Sequence, residues 1–83
     1  MQTKGEYRVG ISFNPSQDDA VSRLKRAAAD LIDMIEDIAV PPASGDPGAI
    51  RSAEICRLKA LAQTAIEDGA MWAVKAATKP ERK

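Results

Sequence analysis

The stretch PPASGDPG, residues 41–48, divides this chain in two. Proline lacks the amide hydrogen that a helix interior needs, and the residue before a proline is pushed out of the helical region. No helix therefore passes through this segment. On each side lies a long run with apolar residues at spacings of three and four. Upstream, Val21, Leu24, Ala28, Leu31, Ile35 and Ile38 make a heptad seam; downstream the seam is Arg51, Ile55, Leu58, Ala62, Ala65, Gly69, Trp72 and Ala76. Two long helices joined by a short loop pack antiparallel. The spacing predicts helices over about 17–38 and about 47–78, a loop over 39–46 and a polar tail over 79–83. Asp46 is the expected cap of the second helix, with Pro47 at its first position. Charge fits the same arrangement, because Asp30, Asp33, Glu36 and Asp37 would face Arg51, Arg57 and Lys59.

Ahead of the first helix the period changes. Tyr7, Val9, Ile11 and Phe13 alternate with Glu6, Arg8, Gly10 and Ser12, the period of a strand, predicted over about 6–13. Asn14-Pro15 ends it, and Ser16 is the expected N-cap of the helix that follows. The fold class expected is mainly α: an antiparallel two-helix hairpin preceded by one short N-terminal strand, in a single domain over 1–83. No second strand exists to pair with the first, and 83 residues bury only a thin core. The chain is expected to be a homo-oligomer larger than a dimer.

Composition removes most chemistry. With no histidine, one cysteine (Cys56) and no glycine-rich phosphate loop, nucleophilic and metal constellations have few members to draw on. Asp30, Asp33 and Asp37 share a helix face, but the plain reading is a solvated acidic face, and Cys56 reads as a small packing residue. No catalytic residue, metal ligand or cofactor is expected. Twelve basic residues against twelve acidic ones leave no net charge, a poor match to duplex nucleic acid. No apolar run approaches a membrane span and no secretion signal is expected, which with the lone cysteine points to a reducing cytosol.

One cluster breaks the pattern. Lys25 falls beside Leu24, at the edge of the seam. It either snorkels over the seam or faces an anion held by the helix N-terminus with Asn14 and Ser16. Phe13, next to the same turn, is either a hydrophobic staple under the helix or a platform for a stacked base. Trp72 reads as a core or subunit-interface residue.

The run NPSQDDAVSRLKRAAADLIDMIE, the proline-rich loop, and RLKALAQTAIEDGAMWAVKAATKP together resemble the helical-hairpin domain of phage anti-CBASS cyclic-oligonucleotide sponges. That domain is shared with Thoeris-inhibiting phage sponges. The resemblance spans nearly all of residues 11–80. It implies a non-enzymatic protein of the host bacterial cytoplasm that sequesters cyclic di- or trinucleotide immune signals, or cyclic ADP-ribose isomers, without cleaving them. It also implies a homo-hexamer with ligand sites between subunits and a cyclic dinucleotide such as cyclic GMP-AMP as the foremost ligand. Lys25 resembles the family's phosphate-contacting lysine, and Phe13 falls near its stacking aromatic. Gln63 stands where some members carry an arginine, which counts against a trinucleotide; Thr64 follows it as in the family. Lys75 matches a basic position late in the second helix. The competing reading is a ribbon-helix-helix repressor or antitoxin, which also places one strand before two helices.

Overall fold

The computed structural model describes residues 1–43 and 45–82. Ser44, in the expected loop, and Lys83, in the expected tail, lie outside the described residues. The chain forms α1 (Lys4–Val9), α2 (Asp19–Glu36) and α3 (Gly45–Ala77). The long helices α2 and α3 run antiparallel as a hairpin, and α1 lies along α2, touching α3 through Lys4 and Arg8.

The expected strand over 6–13 is not formed; residues 4–9 are helical, and no strand occurs among the described residues. Local capping overrides the alternation. Thr3 Oγ1 accepts from the Glu6 N–H at 3.1 Å, and the Thr3 N–H donates to Glu6 Oε1 at 2.9 Å, a complete capping box. Gly10 then adopts φ 63°, ψ 58°, which suits glycine. Ile11 N–H donates to Glu6 O at 3.0 Å and Gly10 N–H to Tyr7 O at 3.3 Å, the paired closure of a Schellman end. A lone strand leaves its amides unpaired, whereas one helical turn with two good caps satisfies them internally.

The first long helix starts two residues later than expected. Asp18, not Ser16, is its N-cap, with Oδ1 accepting from Ala20 N–H at 2.8 Å and Val21 N–H at 3.3 Å. The second starts at Gly45, so Asp46 and Pro47 sit inside its first turn rather than at its cap. Pro47 is tolerated there because first-turn amides have no helical acceptor.

The buried stripe of α2 is Val21, Lys25, Ala29 and Ile32. The heptad seam expected there shares only Val21 with it; Leu31 and Ile38 are 39% and 51% exposed. The cause is α1, which covers the neighbouring flank and draws the core round toward it. Gly5 is buried at the crossing, where a Cβ would stand 2.1 Å from Ala29 O, so α1 and α2 meet backbone to backbone. On α3 the buried residues are Ser52 and Gln63, while Leu58, Leu61 and Trp72 of or near the expected seam are exposed. Cys56 is exposed too, and does not pack as expected.

The acidic end of α2 divides between two partners. Asp33 Oδ1 accepts from Gly5 N–H at 2.7 Å and Glu36 Oε1 from Lys4 Nζ at 2.9 Å, both on α1. Of the three basic residues expected there from α3, Lys59 alone has a partner at this end among the described residues, donating to the Glu36 and Ile38 carbonyls at 2.9 and 2.7 Å. Those carbonyls end the helix without intrahelical partners, and a cation suits that pole of the dipole. Arg57 turns instead to Glu54 on its own helix, 2.7 Å away.

Candidate ligand-binding site

Lys25 is the buried cation of this fold, 8% exposed on the inner face of α2. Its Nζ donates to Gly10 O at 3.0 Å and to Phe13 O, and stands 5.3 Å from the centroid of the Phe13 ring. No carboxylate lies within ion-pair distance of it among the described residues. An ammonium has three donors, so two carbonyls leave one donor and the whole charge unmatched. The short helix α1 and its glycine end create this arrangement by turning the 10–13 carbonyls back onto α2.

A cavity of about 280 Å³ opens on one side of Lys25. Phe13, Asn14, Ser16 and Thr78 line it, with Val21 and Val74 beneath. Four of the seven residues singled out in the sequence therefore converge. Phe13 presents its ring largely to solvent, 71% exposed. Asn14 is committed to the chain: Oδ1 accepts from Asp18 N–H at 3.1 Å, and Nδ2 donates to Asp18 O at 2.8 Å and Ser22 Oγ at 2.9 Å. It holds the α2 entry turn in shape and so positions Ser16, which is exposed at the rim. Val74 on α3 and Thr78, one residue past its end, are wall residues that the sequence reading missed; the spacing of four at the helix end was the available signal.

The other three stand apart. Gln63 is 2% exposed, with Oε1 accepting from Lys4 Nζ at 2.9 Å and Nε2 donating to Ile32 O at 3.1 Å and Glu36 Oε1 at 3.0 Å. The amide, with Lys4 behind it, holds the Glu36 carboxyl below its ordinary value of 4.5. Thr64 Oγ1 accepts from Arg8 Nη2 at 3.3 Å. Lys75 is exposed, its Nζ 5.5 Å from the Trp72 ring centroid. A second cavity of about 270 Å³ lies on the other side of Lys25, lined by Arg8, Glu67, Asp68 and Met71, with Val9 and Val74. Lys25 and Val74 form the partition between the two.

No cluster of three metal-ligating side chains occurs among the described residues. Asp30 pairs with Arg26 at 2.7 Å and Asp33 accepts from the Gly5 N–H of α1, so two of the three acids on that face have structural partners. No helix among the described residues is long and apolar enough to cross a membrane.

Compared with known families, residues 5–78 match the model of the Acb2/Tad1 hairpin domain. The chain belongs to the Acb2/Tad1 hairpin family, the anti-CBASS and anti-Thoeris sponges. Membership implies a phage sponge for cyclic nucleotide signals, a binding protein rather than an enzyme. No curated protein and no solved structure matches the chain.

Proposed function

We propose that this chain sequesters cyclic di- or trinucleotide signals of CBASS immunity, and in the Thoeris case cyclic ADP-ribose isomers, without cleaving them. The observation that carries this reading is Lys25: a nearly buried ammonium with no carboxylate partner, under an exposed aromatic ring, between two cavities. A phosphodiester supplies the missing negative charge, and charge-assisted hydrogen bonds are the stronger ones. A base stacks on Phe13 while Ser16 meets the sugar-phosphate rim and Asn14 keeps the turn in place. A cyclic dinucleotide such as cyclic GMP-AMP is the proposed ligand. Gln63 holds the hairpin register at a distance from Lys25, and Thr64 and Lys75 meet the ligand from a neighbouring subunit.

The hairpin supports assembly with further copies of itself. Its Cα trace spans 60 × 29 × 13 Å, a slab with α1 on one side of the hairpin. At about 100° per residue, Leu31 and Met34 of α2, with Ile38 just past its end, and Leu58, Leu61 and Trp72 of α3 fall on flanks turned from α1. All six are exposed, and the core is three small or medium residues, Val21, Ala29 and Ile32. A second copy is the occupant that fits, because a chain of zero net charge does not repel its own copies and two such apolar faces bury like against like. We assign a homo-hexamer acting in the host bacterial cytoplasm. The ribbon-helix-helix reading loses its strand, since residues 4–9 are helical.

The test is direct. The protein is incubated with a panel of cyclic oligonucleotides, separated from free ligand, and digested with proteinase. Intact ligand returning supports sequestration; an altered product, or no retention of any ligand, overturns it. Light scattering at micromolar concentration reads the assembly, and a monomer there refutes the subunit-shared site.

A further inference from the structure

The second cavity has a chemistry of its own. Its polar groups are Arg8, Glu67, Asp68 and, on the side shared with the first cavity, Lys25; its apolar floor is Val9, Ala70, Met71 and Val74. Arg8 Nε is committed to Glu67 Oε1 at 2.6 Å and Nη2 to Thr64, leaving Nη1 as a donor with no partner among the described residues. Asp68 carries neither a hydrogen bond nor an ion pair among the described residues. The cavity thus offers one free guanidinium donor and one free carboxylate over an apolar surface. At about 270 Å³ it lies at the small end of ligand pockets and suits one ring system, not a whole dinucleotide.

We infer that this cavity is a base-reading subsite selective for guanine, with Asp68 accepting from its N1–H and 2-amino group and Arg8 donating to O6. The inference rests on the sponge reading and adds to it which base is preferred. Lys25 lines both cavities with its charge unmatched, so a phosphodiester held there leaves a base to enter beside Arg8 and Asp68. Among the common bases, guanine alone sets two adjacent donors beside an acceptor on one edge. A carboxylate accepts such a pair through both of its oxygens, and bidentate pairs of this kind add geometric specificity as well as strength. Adenine places its N1 acceptor where guanine has a donor and so makes no paired contact with the carboxylate, and uracil offers it only N3–H. Val9 and Val74 contact the ring faces, and the Met71 thioether, flexible and polarizable, closes over them.

Hypoxanthine is guanine without the 2-amino group, so cyclic di-GMP against cyclic di-IMP isolates one hydrogen bond. Titration calorimetry at fixed salt on the assembled protein should show cyclic di-GMP bound at least about tenfold more tightly, the size expected for one hydrogen bond to a charged acceptor. Asp68→Asn should erase that preference while leaving affinity for cyclic di-AMP within about threefold. Asp68 is exposed, so the variant should keep its helical circular dichroism and melting temperature. Equal wild-type affinities for the guanine and hypoxanthine ligands overturn the subsite, as does an Asp68→Asn loss equal across all three ligands. Binding of none of the three overturns the sponge reading itself, a separate and recognisable failure.

Discussion

Replacing Lys25 by methionine separates what this residue does for the fold from what it does for a ligand. Methionine keeps most of the aliphatic stem that fills the space over Val21 and Ala29, and removes the ammonium. The carbonyls of Gly10 and Phe13 then lose their donor. A carbonyl left without a partner costs about 1–3 kcal/mol when sealed from water. Phe13 is largely exposed, so water replaces much of the lost bond, and the pair together should cost about 1–2 kcal/mol. For a chain of this size that lowers the melting temperature by about 5–15 °C at fixed protein concentration. Binding should suffer more. Removing one partner of a desolvated charge pair costs about 2–5 kcal/mol, a loss of roughly 30- to 4,000-fold in cyclic dinucleotide affinity. Lys25→Glu should lose at least as much, because attraction becomes repulsion. The control is Arg23→Glu. Arg23 is exposed, 3.8 Å from Asp19 on its own helix, and its reversal should change affinity by less than about threefold. Melting curves, calorimetric titration and light scattering on all three variants decide the matter. Equal losses at Lys25 and Arg23 would refute a discrete site, and a Lys25→Met protein that melts lower yet binds normally would reduce the lysine to a staple of the turn.

Phe13→Ala should weaken cyclic dinucleotide binding about ten- to a hundred-fold in calorimetry, since stacking on a base is worth ~1–3 kcal/mol, while Phe13→Tyr keeps most of it; an unchanged affinity with a lower melting temperature moves the stacking role to exposed Tyr7. Gly5→Ala should destabilise by more than the ~1–3 kcal/mol of ordinary overpacking, because the new methyl meets backbone at Ala29 rather than a side chain that can swing away, and urea titration reads the loss. Stability should be level from neutral pH down to about pH 5 and then fall: the Arg26 guanidinium and the Thr3 amide hold the Glu6 carboxyl below 4.5, as Gln63 and Lys4 hold Glu36, so both contributions are present above the unfolded value and are lost as protons add below it. Glu36→Gln should flatten that acid limb in pH-dependent melting, and an unchanged limb would show the carboxylates to be uncoupled from folding.

The hairpin was legible because Pro41 and Pro42 forbid a continuous helix and the flanking periods are long. The first helix was not, because two signals compete over the same residues. Tyr7, Val9, Ile11 and Phe13 alternate, while Thr3 and Glu6 form a capping box and Gly10 a helix end; alternation needs a partner strand to stabilise it, and caps do not. Once α1 is a helix, the buried stripe of α2 moves from Leu24 and Leu31 to Lys25 and Ile32, a shift that no periodicity count on α2 alone reveals. Lys25 was legible as a misfit beside the seam. Its carbonyl partners were not, since they depend on the glycine turn. Thr78 and Asp68 complete cavities only when α3 lies antiparallel beside α2, a matter of three-dimensional register.

That register has an unusual keeper. Facing surfaces rich in alanine slide past one another at little cost, and a slip of one helical turn would carry Val74 about 5.4 Å away from Lys25. Gln63 opposes the slip as a tooth does in a ratchet, its amide engaged with Ile32 O, Glu36 and Lys4 at once. A displaced register would strand the buried Gln63 amide and the Ile32 carbonyl without water, and a single buried amide is known to set alignment between helices in this way. The alignment is therefore written into the middle of the rods rather than into the connection between them. The 37–43 segment can lengthen or shorten with only a small entropic effect, leaving the facing of α2 and α3, and with it both cavities, where they are.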